Sequence, residues 1–305
     1  MAERRRPNRH AVAPTPVARA GGGTSVVDLH THTTRSDGIL EPEALVRDVA
    51  AAGVQYLAIT DHDSLAAFRE LVAAPNAIPR GVELIPGVEI NAIARDIPLL
   101  DGELHILGFG MDPDDAAFEA VLVAQRAARR LRFERTVAVL AKIGMPIDVQ
   151  VASIDLARDD ALGRPTIARA LMAAGYATSV EDAFRRLIGS GSPAYVPREG
   201  LGPREAIVAI TAAGGLPALA HFSEAPRQIP LLRELREAGL RGLEVYYRSF
   251  PSDMVALVAS VASVLDLVPT GGSDYHGDLM SYAEAHASLA VPDAVGERLR
   301  RALGD

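Results

Sequence analysis

Short β-branched or apolar runs alternate with stretches of helical period through most of the chain. "SVVDLH" reads as a strand, and "LEPEALVRDVAAAG" as a helix with Pro42 in its first turn and Gly53 at its end. "VQYLAIT" is the next strand, followed by the helix "SLAAFRELVAA" and the strands "VELIPGVEINAI" and "LHILGFGM". After residue 200 the alternation resumes. "LPALAHF", "RGLEVYY" and "LVPTGGSDYH" read as strands, and "PREAIVAITAAGG", "PLLRELREAGL" and "PSDMVALVASVASVL" as helices. This order predicts an α/β fold around a mainly parallel sheet, open or closed into a barrel. The middle differs, with helical patterns and few strand signals, and reads as a helical insertion at 112–191 into a body formed by 25–111 and 192–305. Residues 1–24, rich in Arg, Ala, Pro and Gly without periodicity, read as a disordered basic tail.

Composition narrows the chemistry. The chain has no cysteine, which removes disulfides, thiolate zinc sites and iron–sulfur clusters. Any metal must be held by His, Asp and Glu, a donor set suited to Mn²⁺, Zn²⁺ or Fe²⁺. No apolar run is long enough to span a bilayer, and the reading is of a cytoplasmic protein without a membrane partner. The net charge is −8, although residues 1–25 carry five arginines and one acid, so the body is more acidic than the whole. Such a body is a poor partner for duplex DNA. An anionic substrate would need local positive charge from metal ions or arginines, because Lys142 is the single lysine.

The histidines supply the candidate chemistry. His10 lies in the tail and His286 in a late polar stretch; the other six sit at strand ends. His30 and His32 finish "VVDLH" and its turn, His62 follows "YLAIT", His221 ends "LPALAH", and His276 follows "VPTGG". His105 instead opens its strand. Glu89 ends "LIPGVE", and Asp274 accompanies His276. In a barrel built of parallel strands the carboxyl ends converge on one rim, so residues far apart in sequence become neighbours. Three carboxylates, Asp37, Glu89 and Asp274, against three divalent ions would leave net positive charge to attract a phosphate and activate a water.

In this order "DLHTHTTRSDG", "TDHDS", "GVEI", "LHILG", "ALAH" and "SDYHG" resemble the PHP (polymerase and histidinol phosphatase) family of metallophosphoesterases. The resemblance covers 26–110 and 196–285 and is nearest the branch acting on 3′,5′-nucleoside bisphosphates and the 5′ ends of short RNA. It implies a distorted (β/α)7 TIM-like barrel with three divalent ions, manganese first and zinc or iron as alternatives. It further implies that His30, His32 and Asp274 hold one ion, Asp37, His62 and His276 a second, and His105 and His221 a third, with Glu89 bridging. No catalytic group separate from these ligands is implied, the nucleophile being a hydroxide bridging the metals. Asp28 and Asp63 read either as groups that orient the rings or as polar strand-end caps. The chain departs from the usual family pattern at Thr166, Phe222 and Phe250, none of them an expected ligand.

A phosphatase with one lysine must bind its substrate with arginines. In "QRAARRLRFER" the spacing puts Arg126, Arg129 and Arg130 on one helix face with Arg132 on the flank. The resemblance favours Arg129, Arg130, Arg132 and Arg164 for gripping a substrate phosphate away from the metals, and Arg35 is a further candidate. The resulting expectation is a phosphomonoesterase acting on a small nucleotide or short oligonucleotide. Histidinol phosphate or another small phosphomonoester is the alternative substrate. An amidohydrolase-type hydrolase is the rival enzyme, disfavoured because Lys142 lies far from any strand end and could not be a carboxylated bridge. A non-catalytic metal-binding module is the non-enzymatic rival.

Overall fold

The computed structural model describes residues 25–74, 76–94, 102–152, 154, 162–277 and 280–304. The segment read as a disordered basic tail lies outside the described residues. Seven strands form one sheet whose spatial order is the chain order: β1 (Val27–Thr31), β2 (Tyr56–Ile59), β3 (Glu83–Ile93), β4 (Glu103–Phe109), β5 (Leu216–Leu219), β6 (Gly242–Tyr247) and β7 (Val268–Gly272). Beyond the end of β7 the sheet meets its first strand again. Asp274 donates its N–H to the His30 carbonyl at 2.7 Å, and His32 donates to the Tyr275 carbonyl at 2.9 Å. The approach is close enough that a Cβ on Gly272 would overlap the His30 backbone, so this position admits only glycine without movement.

The fold is the (β/α)7 barrel that the resemblance implies, and its distortion has a definite location. β4 runs antiparallel to both β3 and β5, whereas the other neighbouring pairs are parallel. β1 is buried along its whole length, as a β-branched run covered on both faces should be. Helices Pro42–Ala51, Arg164–Ala173 and Pro203–Ala212 each begin with a proline in the first turn, where the missing N–H has no intrahelical partner to lose.

Between β4 and the helix Pro203–Ala212 the regular elements among the described residues are helices, joined by turns and irregular segments. Helix Ala116–Lys142 starts at Asp115, whose carboxylate accepts the Phe118 N–H at 2.8 Å. Helices Asp148–Val151 and Arg164–Ala173 follow, then Val180–Ala183, which runs on into a π-helical turn at Phe184–Ile188. Phe133, Leu140, Ile167, Leu171 and Leu187 form a local apolar cluster here. The buried stripe of the long helix is mixed: Phe118, Leu122, Phe133 and Leu140 share it with Arg126, Arg129 and Arg132. Buried guanidiniums on a core-facing stripe require partners.

Candidate metal centre

The strand ends bring all nine expected ligand residues into one cluster. Three groups have ligand atoms within 4.8 Å of one another: His32, Asp37, His62 and His276; His30, His32 and Asp274; and Glu89, His105 and His221. The direction of β4 explains why His105 opens its strand. An antiparallel strand starts at the rim where its neighbours finish, and the ladder pairs His105 with Asn91, two residues past Glu89. The ladders also extend beyond the strands, with a bridge between His62 and Glu89 and an Ala220 N–H donated to the His105 carbonyl.

Glu89 is the centre of the cluster. Its Oε2 lies 3.4 Å from His30 Nε2, 3.3 Å from His32 Nε2 and 3.0 Å from His62 Nδ1. Its Oε1 lies 2.8 Å from His105 Nδ1 and 3.4 Å from His221 Nε2. Asp274 Oδ1 is 3.3 Å from His30 Nε2 and 3.2 Å from His32 Nε2. Asp37 reaches His276 at 3.3 Å and His62 at 3.6 Å. Burial would raise the three carboxyls, but the surrounding imidazoles override it and hold each well below its ordinary range. Burial, helped by Arg129, lowers His62 to about 4 and keeps that ring neutral.

Four atoms of the cluster, His30 Nε2, His32 Nε2, His62 Nδ1 and Asp37 Oδ1, are buried without a hydrogen-bond partner. Such atoms are rare in proteins, and here they converge. Imidazole nitrogen and carboxylate oxygen with no thiolate is a donor set for Mn²⁺, Zn²⁺ or Fe²⁺, so the residues fit divalent ions. Burial would lower His276, yet Asp37 and Asp274 push it up to about 10, so a cation binding there must displace a proton. Metal affinity will therefore rise with pH between 6 and 9, with proton release measured by titration calorimetry in buffers of different ionisation enthalpy. Uptake independent of pH would contradict this.

Of the two readings open for Asp28 and Asp63, ring orientation is not the one seen; a different carboxylate holds a ring. Glu244, fully buried on β6, accepts from His30 Nδ1 at 3.1 Å and from the His221 backbone N–H at 2.6 Å. The first contact fixes the His30 proton on Nδ1 and turns the Nε2 lone pair into the cluster. Sequence reasoning missed Glu244, although a carboxylate inside the apolar strand "GLEVYY" was a usable signal. Asp28 instead accepts from the Ser273 N–H and the Tyr282 hydroxyl, both at 2.9 Å, and so acts as a strand-end cap tying β1 to the chain after β7. Asp63 receives arginines. Asp61 accepts from Ser36 Oγ, Thr33 N and Thr33 Oγ at 2.6–2.7 Å and holds the turn that carries Asp37. Asp63, His221 and Asp274 have positive φ angles of 54°, 29° and 50°, backbone strain placed at the rim. His286 lies in helix Tyr282–Ala287, where its Nε2 meets the Ser25 carbonyl at 2.7 Å.

A cavity of about 240 Å³ opens beside the cluster. Arg129, Arg132, Arg164 and Arg198 line it, with Phe133, Leu162, Pro165, Ile167 and Phe184 as apolar wall. Arg129 and Arg198 share Asp63 Oδ2, each at 3.0 Å, and Arg132 and Arg164 share Glu103 Oε1 at 2.9 and 3.4 Å. Among the described residues, two carboxylates, Asp63 and Glu103, thus hold the four guanidiniums on this side of the cavity. Arg130 is not among the lining residues. At 100° per residue it sits about 100° round the helix from Arg129 and about 160° from Arg132, so the spacing found the edge of the face rather than its centre. Arg198, in the loop before Pro203, was missed because no periodicity marks a loop. Arg35 pairs with Glu70 and Glu41 and does not line the cavity. Phe222 and Phe250 are buried in the main apolar core, and Thr166 lines nothing in the cavity.

The PHP domain model matches residues 28–196. The chain belongs to the PHP family. A 5′-3′ exoribonuclease from Haemophilus influenzae is 33% identical over 259 residues, 83% of this chain and 90% of the relative. A 3′,5′-nucleoside bisphosphate phosphatase from Chromobacterium violaceum is 30% identical over 254 residues, 82% of this chain and 87% of the relative. Among solved structures, a Bifidobacterium adolescentis protein proposed as a metal-dependent phosphoesterase has 33% identity and a TM-score of 0.76, covering 90% of this chain and 95% of its own. This PHP protein is a metal-dependent phosphoesterase, a hydrolase. Its lysine, Lys142, is exposed at the end of the long helix and does not line the cavity, which leaves the lysine-bridged rival without a bridge. Among the described residues no helix is long and apolar enough to cross a membrane.

Proposed function

We propose that the chain removes the 3′-phosphate of a nucleoside 3′,5′-bisphosphate. The observation that carries this reading is one cavity with two unlike walls, a His/Asp/Glu cluster on one side and four arginines beside apolar side chains on the other. A substrate with two phosphates and a flat apolar base has groups for each wall. In this reading the scissile phosphate faces Glu89, and the second phosphate faces Arg129, Arg132, Arg164 and Arg198. Arg130 leaves the binding set and Arg198 enters it. The Chromobacterium relative's activity supports the assignment.

His30, His32 and Asp274 would hold one divalent ion, Asp37, His62 and His276 a second, and His105 and His221 a third with Glu89 between them. Manganese is the proposed metal, with zinc and iron as the other candidates. Bound there, divalent ions supply Lewis acidity and lower the pKa of water. The protein's share is orientation: Glu244 fixes the His30 ring, and Asp61 holds the turn carrying Asp37. Guanidiniums already set against Asp63 and Glu103 grip an anion with little reorganisation. Residues 112–191 are proposed as an insertion into the barrel that forms the far wall of the cavity. The second reading, trimming short RNA from a 5′-phosphate end, is favoured by the exoribonuclease relatives and places the terminal phosphates on the same walls.

The test is phosphate release from adenosine 3′,5′-bisphosphate, AMP, 3′-AMP, histidinol phosphate and a 5′-phosphorylated trinucleotide with Mn²⁺, Zn²⁺ or Fe²⁺. Preference for the bisphosphate supports the first reading and nucleotide release from RNA the second; no turnover of either sinks both. Arg164→Ala should raise KM for the bisphosphate about ten- to a hundredfold, the worth of a charge-assisted contact, while leaving hydrolysis of p-nitrophenyl phosphate nearly unchanged. Equal losses on both substrates would remove Arg164 from the second-phosphate subsite.

A further inference from the structure

Asn91 sits between the two walls of the cavity. It is buried on β3, lines the cavity and pairs across the ladder with His105. Arg129 Nη2 lies 2.9 Å from Asn91 Oδ1, and Asn91 Nδ2 lies 2.7 Å from His105 Nε2. These contacts determine each other. Arginine can only donate, so the amide atom facing it is the oxygen, and the NH₂ must face His105. His105 Nε2 therefore accepts and carries the lone pair. The ring proton sits on Nδ1, donated to Glu89 Oε1 at 2.8 Å.

That is the wrong tautomer for holding a cation with Glu89 and His221. The nitrogen facing them is Nδ1, 3.1 Å from His221 Nε2, and ligation there needs its lone pair. For that, the proton on Nδ1 must move to Nε2. An N–H on Nε2 would then point at the Asn91 NH₂, donor against donor. A half-turn of the carboxamide cures this by presenting Oδ1 to His105, but it also presents NH₂ to Arg129. Arg129 keeps Asp63, which takes its Nε and Nη2 at 3.1 and 3.0 Å. The Nη2 N–H formerly given to Asn91 loses its acceptor inside the cavity, and a phosphate oxygen is an acceptor.

We infer that Asn91 is a positioning residue whose carboxamide couples cation binding at Glu89, His105 and His221 to anion binding at Arg129. Both events favour the same amide orientation, so each strengthens the other, and the linkage is reciprocal. The inference rests on the proposed assignment of His105 as a ligand. Aspartate at this position would separate the two roles. Asn91→Asp accepts from both neighbours, sets His105 to the Nε2–H tautomer in advance and holds the Arg129 donor permanently.

The experiment uses full-length protein labelled with ¹⁵N-histidine, with the His105 signals assigned by their loss in His105→Ala. Long-range proton–nitrogen correlation should show His105 protonated on Nδ1 in metal-free wild type, and on Nε2 in metal-free Asn91→Asp and in the zinc-loaded wild type. Zinc titrations with and without inorganic phosphate measure the coupling. Phosphate should tighten the His105-dependent zinc equivalent more in wild type than in Asn91→Asp or Asn91→Ala, by about fivefold or more, the usual floor for such couplings. Nε2–H in the metal-free wild type, or the same phosphate effect in all three proteins, overturns the role of Asn91. A zinc stoichiometry unchanged by His105→Ala overturns it together with the ligand assignment beneath it, so the two failures are told apart.

Discussion

Glu89→Gln should lower phosphatase turnover by at least about 10²–10³, the loss expected when one group central to charge stabilisation is removed, while leaving a folded protein. The expectation follows from how many rings one carboxylate serves. His30, His32 and His62 face one oxygen of Glu89, and His105 and His221 face the other. Glutamine keeps the size but carries no charge, and it offers an NH₂ donor on one side. The lost anion is also what holds three groups of ligands to a common centre, so metal content should fall along with turnover. Metal analysis of the purified variant, circular dichroism and steady-state kinetics at saturating Mn²⁺ check the three parts together. Wild-type turnover in a correctly folded Glu89→Gln protein would remove Glu89 from the proposed site.

The largest effect on stability should come from Asp63→Ala. Asp63 is fully buried and is set against Arg129 and Arg198, whose side chains are 6% and 3% exposed. Its backbone carbonyl also accepts from Arg126 at 2.8 Å. Taking away the carboxylate leaves buried guanidinium charge without its main compensation, which typically costs about 3–5 kcal/mol. For a chain of this size that corresponds to a fall in Tm of roughly 5–8 °C. Calorimetry of metal-free protein measures it without interference from ion binding. Asp63→Asn should recover part of the loss, because its amide oxygen can still accept from one arginine. A shift within about 0.5 kcal/mol, the range of ordinary surface substitutions, would show that the arginines are satisfied by other means.

Most of the cluster was legible in the sequence because its residues are tied to strand ends, and strand ends are local events. A β-branched run followed by His-Thr-His-Thr-Thr, or "VPTGG" followed by Ser-Asp-Tyr-His, carries both the element and the chemistry in a few residues. What was not legible depends on direction or on long-range partners. Nothing in "ELHILGF" says that β4 runs backwards, so the oddity of His105 at its start had no explanation until the ladders were seen. Glu244 belongs to a strand whose apolar run already accounted for it, and its partners His30 and His221 are far away in sequence. Asp28 and Asp63 had the residue type of ring-orienting groups, but only the packing reveals that one binds a backbone N–H and a phenol and the other two guanidiniums. The arginine face was found from helical spacing, and its rotation was not. Spacing fixes which residues are neighbours, whereas the surroundings fix which neighbour looks inward.

The contact between β1 and the chain just beyond β7 has a consequence for the order of events during synthesis. His30, His32 and Asp274 belong to the cluster and, with Tyr275, also form the seam where the barrel shuts. The chain must have left the ribosome at least as far as His276 before His30 and His32 meet Asp274 and His276. A growing chain can shape its first strands and the helical middle, yet the cluster stays incomplete until β7 docks. Assembly of the cluster is thus a late event of folding, reached only when the two ends of the sheet have found each other.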